Sequence, residues 1–311
     1  MTTVVFVAIY SASLVFLVAC VARAKRYASL PAHLRWELYP VPHEPADRLE
    51  HGGSYLEQRE WWTRPRRRHY AGQWRFMIAE MVFLKGLWEW NRPLWFRSFP
   101  FHFGLYLLAA SGFVLLTAAG VTLAVPAADA PFRSTVAWLY RGLGAAGGAL
   151  ALAGALGLLH RRVTDRTLRI YSAPADVFNL AFFAVTIIVL ALGYGTAGAR
   201  FPGPLTFTRG LLRFETSLAM PPLLALGVVL ACALVAYIPL THMAHFIGKY
   251  FTYHAVRWDD APMDARGRLA RRIAASLATR PTWSAPHVGA DGTRTWAAIA
   301  SSNPAPGGTK E

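Results

Sequence analysis

Apolar residues in this chain run together instead of alternating or recurring on one face. Five runs, roughly 3–23, 101–123, 136–159, 177–198 and 217–245, each hold about 20 or more mostly apolar positions. At a rise of about 1.5 Å per residue, such a run crosses a hydrocarbon core of roughly 30 Å. Lipid offers no partner to a backbone N–H or C=O, so a spanning segment must satisfy its own hydrogen bonds as a helix. The pattern predicts an all-α integral membrane protein with five transmembrane helices.

The polar stretches between the runs set an orientation. The first run, TTVVFVAIYSASLVFLVACVARAKR, has no basic residue ahead of it, and Arg23, Lys25 and Arg26 follow it. It is also too long for the core of a signal peptide, so it reads as a retained helix with its N-terminus outside. Segment 23–97 holds fourteen Lys and Arg, 160–169 holds four and 246–311 holds nine, against five on the other side: Arg133, Arg141, Arg200, Arg209 and Arg213. Basic residues collect on the cytoplasmic side. The five helices then alternate consistently in the inner membrane, N-terminus outside and C-terminus cytoplasmic. This gives a first helix over 1–23, a cytoplasmic or interfacial loop over 24–100, a four-helix membrane domain over 101–250 and a cytoplasmic tail over 251–311.

The loop 24–100 contains WELYPVPHE, HGGSYLEQREWW and RPRRRH, and it ends in FLKGLWEWNRPLWFRSFP. Trp mixed with Lys and Arg just before a membrane helix suits the headgroup layer, where rings sit at the interface and cations snorkel. A partner-docking surface is an equal reading of the same residues. In the tail, MDARGRLARRIAASLA suits a short amphipathic helix. The remainder, rich in Pro, Gly and Trp, is either disordered or laid on a partner, and its two Trp favour the partner.

Composition sharpens this picture. Hydrophobic residues make up 54% of the 311 and charged residues 16%, well below the quarter or so of a soluble domain. The formal charge of +15 is spread in blocks that the orientation bias explains, so no nucleic-acid partner is expected. Cys20 and Cys232 lie inside apolar runs and are too few for a disulfide framework, a zinc site or an iron–sulfur cluster. No GxGxxG after a strand and no Walker motif is present.

The chemistry rests on histidine. His33, His43, His51, His69, His254 and His287 fall in cytoplasmic segments, where a solvated imidazole is ordinary. His102, His160, His242 and His245 lie at membrane depth or its edge, where an ionisable side chain points to function. His102 opens the second helix and His245 closes the fifth. These helices run in opposite directions, so both rings lie about one turn inside the cytoplasmic face. Two imidazoles at one depth on two helices suit the two axial positions of a b-type haem, and a pair of unrelated interfacial histidines is the other reading. Gly104 and Gly248 would let a porphyrin approach the backbone. Arg97, Arg161, Arg162 and Lys249 lie at the level of its propionates. His242 is one turn before His245 and about 60° around the helix, so it is a candidate to hydrogen-bond a propionate or a quinone, or to ligate in place of His245. His160 is a candidate quinone contact, or with His242 an alternative ligand pair for a second haem. Asp176, at the head of the fourth helix, is a third candidate quinone contact or a plain helix cap.

FHFGLYL at 101–107, the RRVTDRTLRIYS…D…NL block at 161–180, and Pro239 followed six residues later by His245 resemble the membrane cytochrome b family typified by the gamma subunit of respiratory nitrate reductase. They are most like the branch paired with heterodisulfide-reductase-like iron–sulfur proteins. The resemblance implies haem ligation by His102 and His245, electron exchange with a quinone (menaquinone is expected), and a cytoplasmic iron–sulfur partner covering 24–100 and the tail. It also implies a second haem near the outer face, whose ligands would fall at Gly112 and Gly227. Neither is a histidine, so one haem b is expected, and Met220 is the one outer-side thioether near a helix. A haem-free anchor that recruits a cytoplasmic redox complex is the competing function.

Overall fold

The computed structural model describes residues 2–30, 70–125, 130–256, 266–285 and 288–302. WELYPVPHE, HGGSYLEQREWW and RPRRRH, with His33, His43, His51 and His69, lie outside the described residues, as does His287. The helices are α1 (Thr2–Ser29), α2 (Tyr70–Val82), α3 (Lys85–Trp90), α4 (Arg92–Ala124), α5 (Ala130–Thr164), α6 (Arg166–Tyr171), α7 (Pro174–Ala197), α8 (Pro204–Arg213), α9 (Pro222–Tyr237), α10 (His245–Val256), α11 (Arg268–Leu277) and α12 (Trp296–Ala300). Two-residue strands β1 (Ser284–Ala285) and β2 (Ala290–Asp291) pair antiparallel. Among the described residues, five helical stretches are long and apolar enough to cross a membrane, and they coincide with the five apolar runs.

Boundaries shift from the sequence reading for local reasons. The second spanning helix starts at Arg92, nine residues early, because the Asn91 side chain accepts from Leu94 N–H and caps it. Pro93 sits in the first turn, where its missing N–H costs nothing. The fifth run does not stay one helix. α9 ends at Tyr237, and two short 3-10 turns follow, Ile238–Leu240 and His242–Ala244. Pro239 has no N–H to continue the ladder, and Thr241 takes an extended conformation. His245 therefore opens a new helix instead of closing the old one. The expected 60° offset between His242 and His245 does not apply.

The chain divides into two compact units, Met1–Cys20 with Met77–Ala244, and Val21–Phe76 with His245–Glu311. In the first, α4 lies on α5 backbone to backbone. A methyl placed on Gly147 would stand 2.8 Å from the Gly104 carbonyl oxygen, and one on Gly154 would stand 2.6 Å from Phe101 Cα. α7 and α9 repeat the device reciprocally. A methyl on Gly193 would meet Leu224 Cα at 2.7 Å, and one on Gly227 would meet Leu190 Cα at 2.9 Å. In lipid, where apolar burial does not drive helices together, small residues at the seam permit the close contact that does. Gly104 is consequently filled by α5 and offers no opening to a porphyrin, contrary to the expectation above.

Side chains fill the rest of this unit. Phe101, Ala155, Phe183, Ala184 and Leu234 form one cluster across α4, α5, α7 and α9. A second joins Val5 and Phe6 of α1 to Ala197, Phe207, Met220, Leu224 and Ala225. Met220 is thus a buried packing residue. The aromatic segment folds as α3 and the first turns of α4, where Trp95 lies flat on Phe99 at 4.4 Å and Phe99 on Phe103 at 5.2 Å. Trp95 Nε1–H donates to the Phe83 carbonyl, and the Tyr106 hydroxyl to the Met81 carbonyl.

In the second unit the Tyr27 ring lies 6.0 Å from Phe251 of α10, and Arg272 of α11 donates to the Leu30 carbonyl past the end of α1. The tail is more ordered than expected. The predicted amphipathic helix is α11, and the stretch after it folds back as the β1–β2 hairpin and α12, with Trp283 packed edge-on against Trp296 at 5.7 Å. The hairpin's last turn is held by Asp291. Backbone N–H groups of Thr293 and Arg294 and the Thr293 hydroxyl donate to its carboxylate, holding it below the usual carboxylate range.

Two outcomes are expected. Gly154→Val should lower the melting temperature in detergent by an amount worth about 1–3 kcal/mol, whereas Gly120→Ala, where nothing lies within 4 Å, should leave it level or raise it. A depressed carboxylate contributes its stability above the ordinary aspartate value and loses it as pH falls through the lowered one. Hydrogen exchange at Thr293 and Arg294 in the full chain should therefore accelerate, relative to the α7 amides and after correction for intrinsic rate, below about pH 4.

Candidate functional site

Three stretches of the first unit converge where α5 ends. Helix α5 carries His160, Arg161 and Arg162 in its last turn. Asp165 then caps α6, its Oδ1 accepting from Thr167 and Leu168 N–H. The short α6 brings the chain to Pro174, which starts α7. Asp176 in the first turn of α7 reaches back, Oδ2 accepting from the Ala173 N–H at 3.1 Å. This carboxylate suits the positive end of the helix dipole and satisfies an amide the helix leaves open. Capping is only part of its work. The same Oδ2 accepts from Arg162 Nη1 at 3.3 Å, and Oδ1 stands 3.5 Å from His242 Nε2. Arg162 Nη1 also donates to the Ser172 hydroxyl at 3.0 Å.

The residue that completes the cluster was not predicted from sequence. Asn179, one turn after Asp176, is only 5% exposed. Its Nδ2 lies 3.5 Å from His242 Nε2, and its buried Oδ1 has no hydrogen-bond partner. A buried amide oxygen without a partner costs about 1–3 kcal/mol. The signal in the sequence was a lone amide in the apolar run VFNLAFF, three residues after an acid. His242 is the accessible member, its side chain 62% exposed against 21% for Asp176 and 34% for Arg162.

His102 stands elsewhere in the same unit, on α4. Its Nδ1 lies 2.8 Å from the Ser98 carbonyl oxygen and 3.3 Å from the Ser98 hydroxyl. A ring nitrogen facing a carbonyl must carry the proton, so the lone pair sits on Nε2. Phe101 meets the His102 ring edge-on at 5.3 Å and the Phe183 ring at 5.0 Å. Arg97, one turn earlier on α4, donates to the Pro93 carbonyl at 2.6 Å, and its stem lies against Gly157 of α5.

The remaining candidates separate. Arg161 Nε stands 3.9 Å from Asp165, a long and partly exposed pair worth little. His160 is exposed, and its position is about 200° around α5 from Arg162. The structure therefore does not bring it to His242. His245 opens α10 in the second unit, with Lys249 one turn on, and the ring of Tyr27 borders Gly248 at about 3.8 Å from where its side chain would start. Among the described residues no three His, Cys, Asp or Glu side chains cluster as a metal site.

Replacing Asp176 separates its two roles. Asp176→Asn keeps the acceptor for Ala173 N–H and loses the ion pair, whereas Asp176→Leu loses both. Melting temperatures in detergent should fall in the order wild type, Asn, Leu, with the last step near the value of a helix cap, about 1 kcal/mol.

Against known proteins, the family model described as the nitrate reductase gamma subunit matches residues 87–259. No curated protein and no solved structure matches the chain.

Proposed function

The chain belongs to the nitrate reductase gamma subunit family, and on that premise we propose that it is the b-type cytochrome subunit of a respiratory complex. In this reading it relays electrons between the quinone pool, with menaquinone the expected carrier, and a cytoplasmic iron–sulfur subunit of heterodisulfide-reductase-like type. The family supplies the coarse part: its members are membrane b-type cytochrome subunits of quinone-linked electron transfer. With the five apolar helices, this makes the chain a multi-pass membrane protein.

The observation that carries the finer reading is the His102 ring. Its Nδ1–H is donated to the Ser98 carbonyl, the outer hydrogen bond that orients a metal-binding histidine and raises the basicity of its other nitrogen. We assign His102 and His245 as the axial ligands of one haem b, with Arg97, Arg161 and Lys249 toward the propionates. Arg162, already bound to Asp176, is the weaker partner of that set. When bound, the haem supplies reversible one-electron transfer at its iron. The protein's own residues hold and orient it.

Packing at Gly227 favours a single haem. A histidine there would begin 2.9 Å from Leu190 Cα, so the outer-face ligand that the family resemblance implies at that position has no room. Lys and Arg bias supports the inner membrane with the N-terminus outside and the C-terminus cytoplasmic. In the tail, Arg271, Arg280 and Trp283 are exposed, a surface suited to the iron–sulfur partner.

A pyridine haemochrome count on the detergent-purified chain tests this. About one b haem per chain is expected, lost in His102→Ala and in His245→Ala and retained in His160→Ala. A well-folded chain without haem sinks the cytochrome reading and leaves the membrane anchor. Two haems per chain would overturn the single-haem assignment.

A further inference from the structure

The cluster at the head of α7 is more than a tie between helices. We propose that Asn179, His242 and Asp176 form a binding site for the headgroup of a lipid-borne quinol, entered sideways from the bilayer along the aromatic face of α7 and α9. The proposal rests on the quinone-linked reading above and locates its substrate.

Asn179 Oδ1 is the anchor. It is buried and without a partner, so it calls for a donor. A phospholipid phosphate offers none at neutral pH, and the Asp176 carboxylate beside it repels an anion. A hydroxyl meets the demand. His242 Nε2, 3.5 Å from Asn179 Nδ2 and from Asp176 Oδ1, is the second polar contact at the rim. Turning the Asn179 carboxamide over would present Nδ2 instead, a donor to a carbonyl. One side chain can thereby hold the reduced and the oxidised forms of the same ring.

The α7–α9 surface beside Asn179 is aromatic, and its outer ring is exposed. Phe178, the neighbour of Asn179, is 54% exposed. Its ring lies 5.6 Å from Phe182 and 6.0 Å from Tyr237, and Phe182 lies 6.3 Å from Tyr237. Three rings beside a buried hydrogen-bonding group match an amphipathic aromatic ligand with a hydrophobic tail. Arg162 holds Asp176 Oδ2 from the other side, so the carboxylate is spent on positioning and its Oδ1 faces His242. One turn along α7 is Phe183, from which ring contacts run through Phe101 to His102. The headgroup would therefore sit close to the proposed haem ligand.

The test uses the full chain in nanodiscs with a short-tailed naphthoquinol as probe. Equilibrium binding of the probe is measured beside the dithionite-reduced haem spectrum and the melting temperature. Asn179→Leu, which keeps the volume and removes both polar atoms, should weaken binding about tenfold with the haem spectrum unchanged. Phe178→Ala should weaken it too, and His160→Ala should not. Wild-type affinity in both Asn179→Leu and Phe178→Ala overturns the site. So does a fall in melting temperature with affinity unchanged, since the cluster would then be only a structural tie. Asn179-dependent binding by a chain that holds no haem would keep the site and sink the cytochrome reading. A reducible haem with Asn179-independent binding would do the reverse.

Discussion

Backbone contact between helices is the constraint on which the rest of the first unit depends. Gly104, Gly147 and Gly154 let α4 and α5 touch main chain to main chain, and Gly193 and Gly227 do the same for α7 and α9. No side chain fits at these seams. The register of each pair is therefore set by where the glycines fall, not by the larger residues around them. Between the two pairs, Phe101 of α4 meets Phe183 of α7 at 5.0 Å, one residue from His102. It also explains two negative findings by one cause. Gly104 cannot admit a porphyrin edge, and Gly227 cannot become a histidine, because both are spent on helix contact.

The polar cluster hangs from the same frame. Its members come from the last turn of α5, the first turn of α7 and the 3-10 turn after α9, three chain segments that meet only because those helices are packed. Asp176 shows how one carboxylate serves several needs at once. It caps its own helix, neutralises Arg162 across the α5–α7 connection and faces His242. Each contact would be modest alone in an exposed setting. Together they hold His242 beside the buried Asn179, whose amide oxygen is left without a partner.

Pro239 matters as much as any polar group. By ending α9 it converts a continuous span into helix, two 3-10 turns and helix. His242 and His245, which a single helix would place on neighbouring faces, are released from that relation. His242 joins the cluster on α7, and His245 starts α10. The break lets two histidines three residues apart take separate tasks.

The sequence by itself determined the class of the molecule. Length of apolar run is a one-dimensional quantity, and the need to satisfy backbone hydrogen bonds in lipid turns it directly into five helices. The amphipathic α11 was legible for the same reason, since periodicity is local. His102, Asp176 and His242 stood out because charge is scarce in such runs. Only the tertiary structure decided the remainder. That Arg162 and Asp176, fourteen residues apart, form an ion pair depends on the α6 turn between them. That Asn179 belongs with His242, sixty-three residues on, depends on how α7 meets the end of α9. That Gly104 serves a helix seam and not a cofactor depends on which neighbour reaches it first. Composition names the available groups; close packing assigns each one its partner.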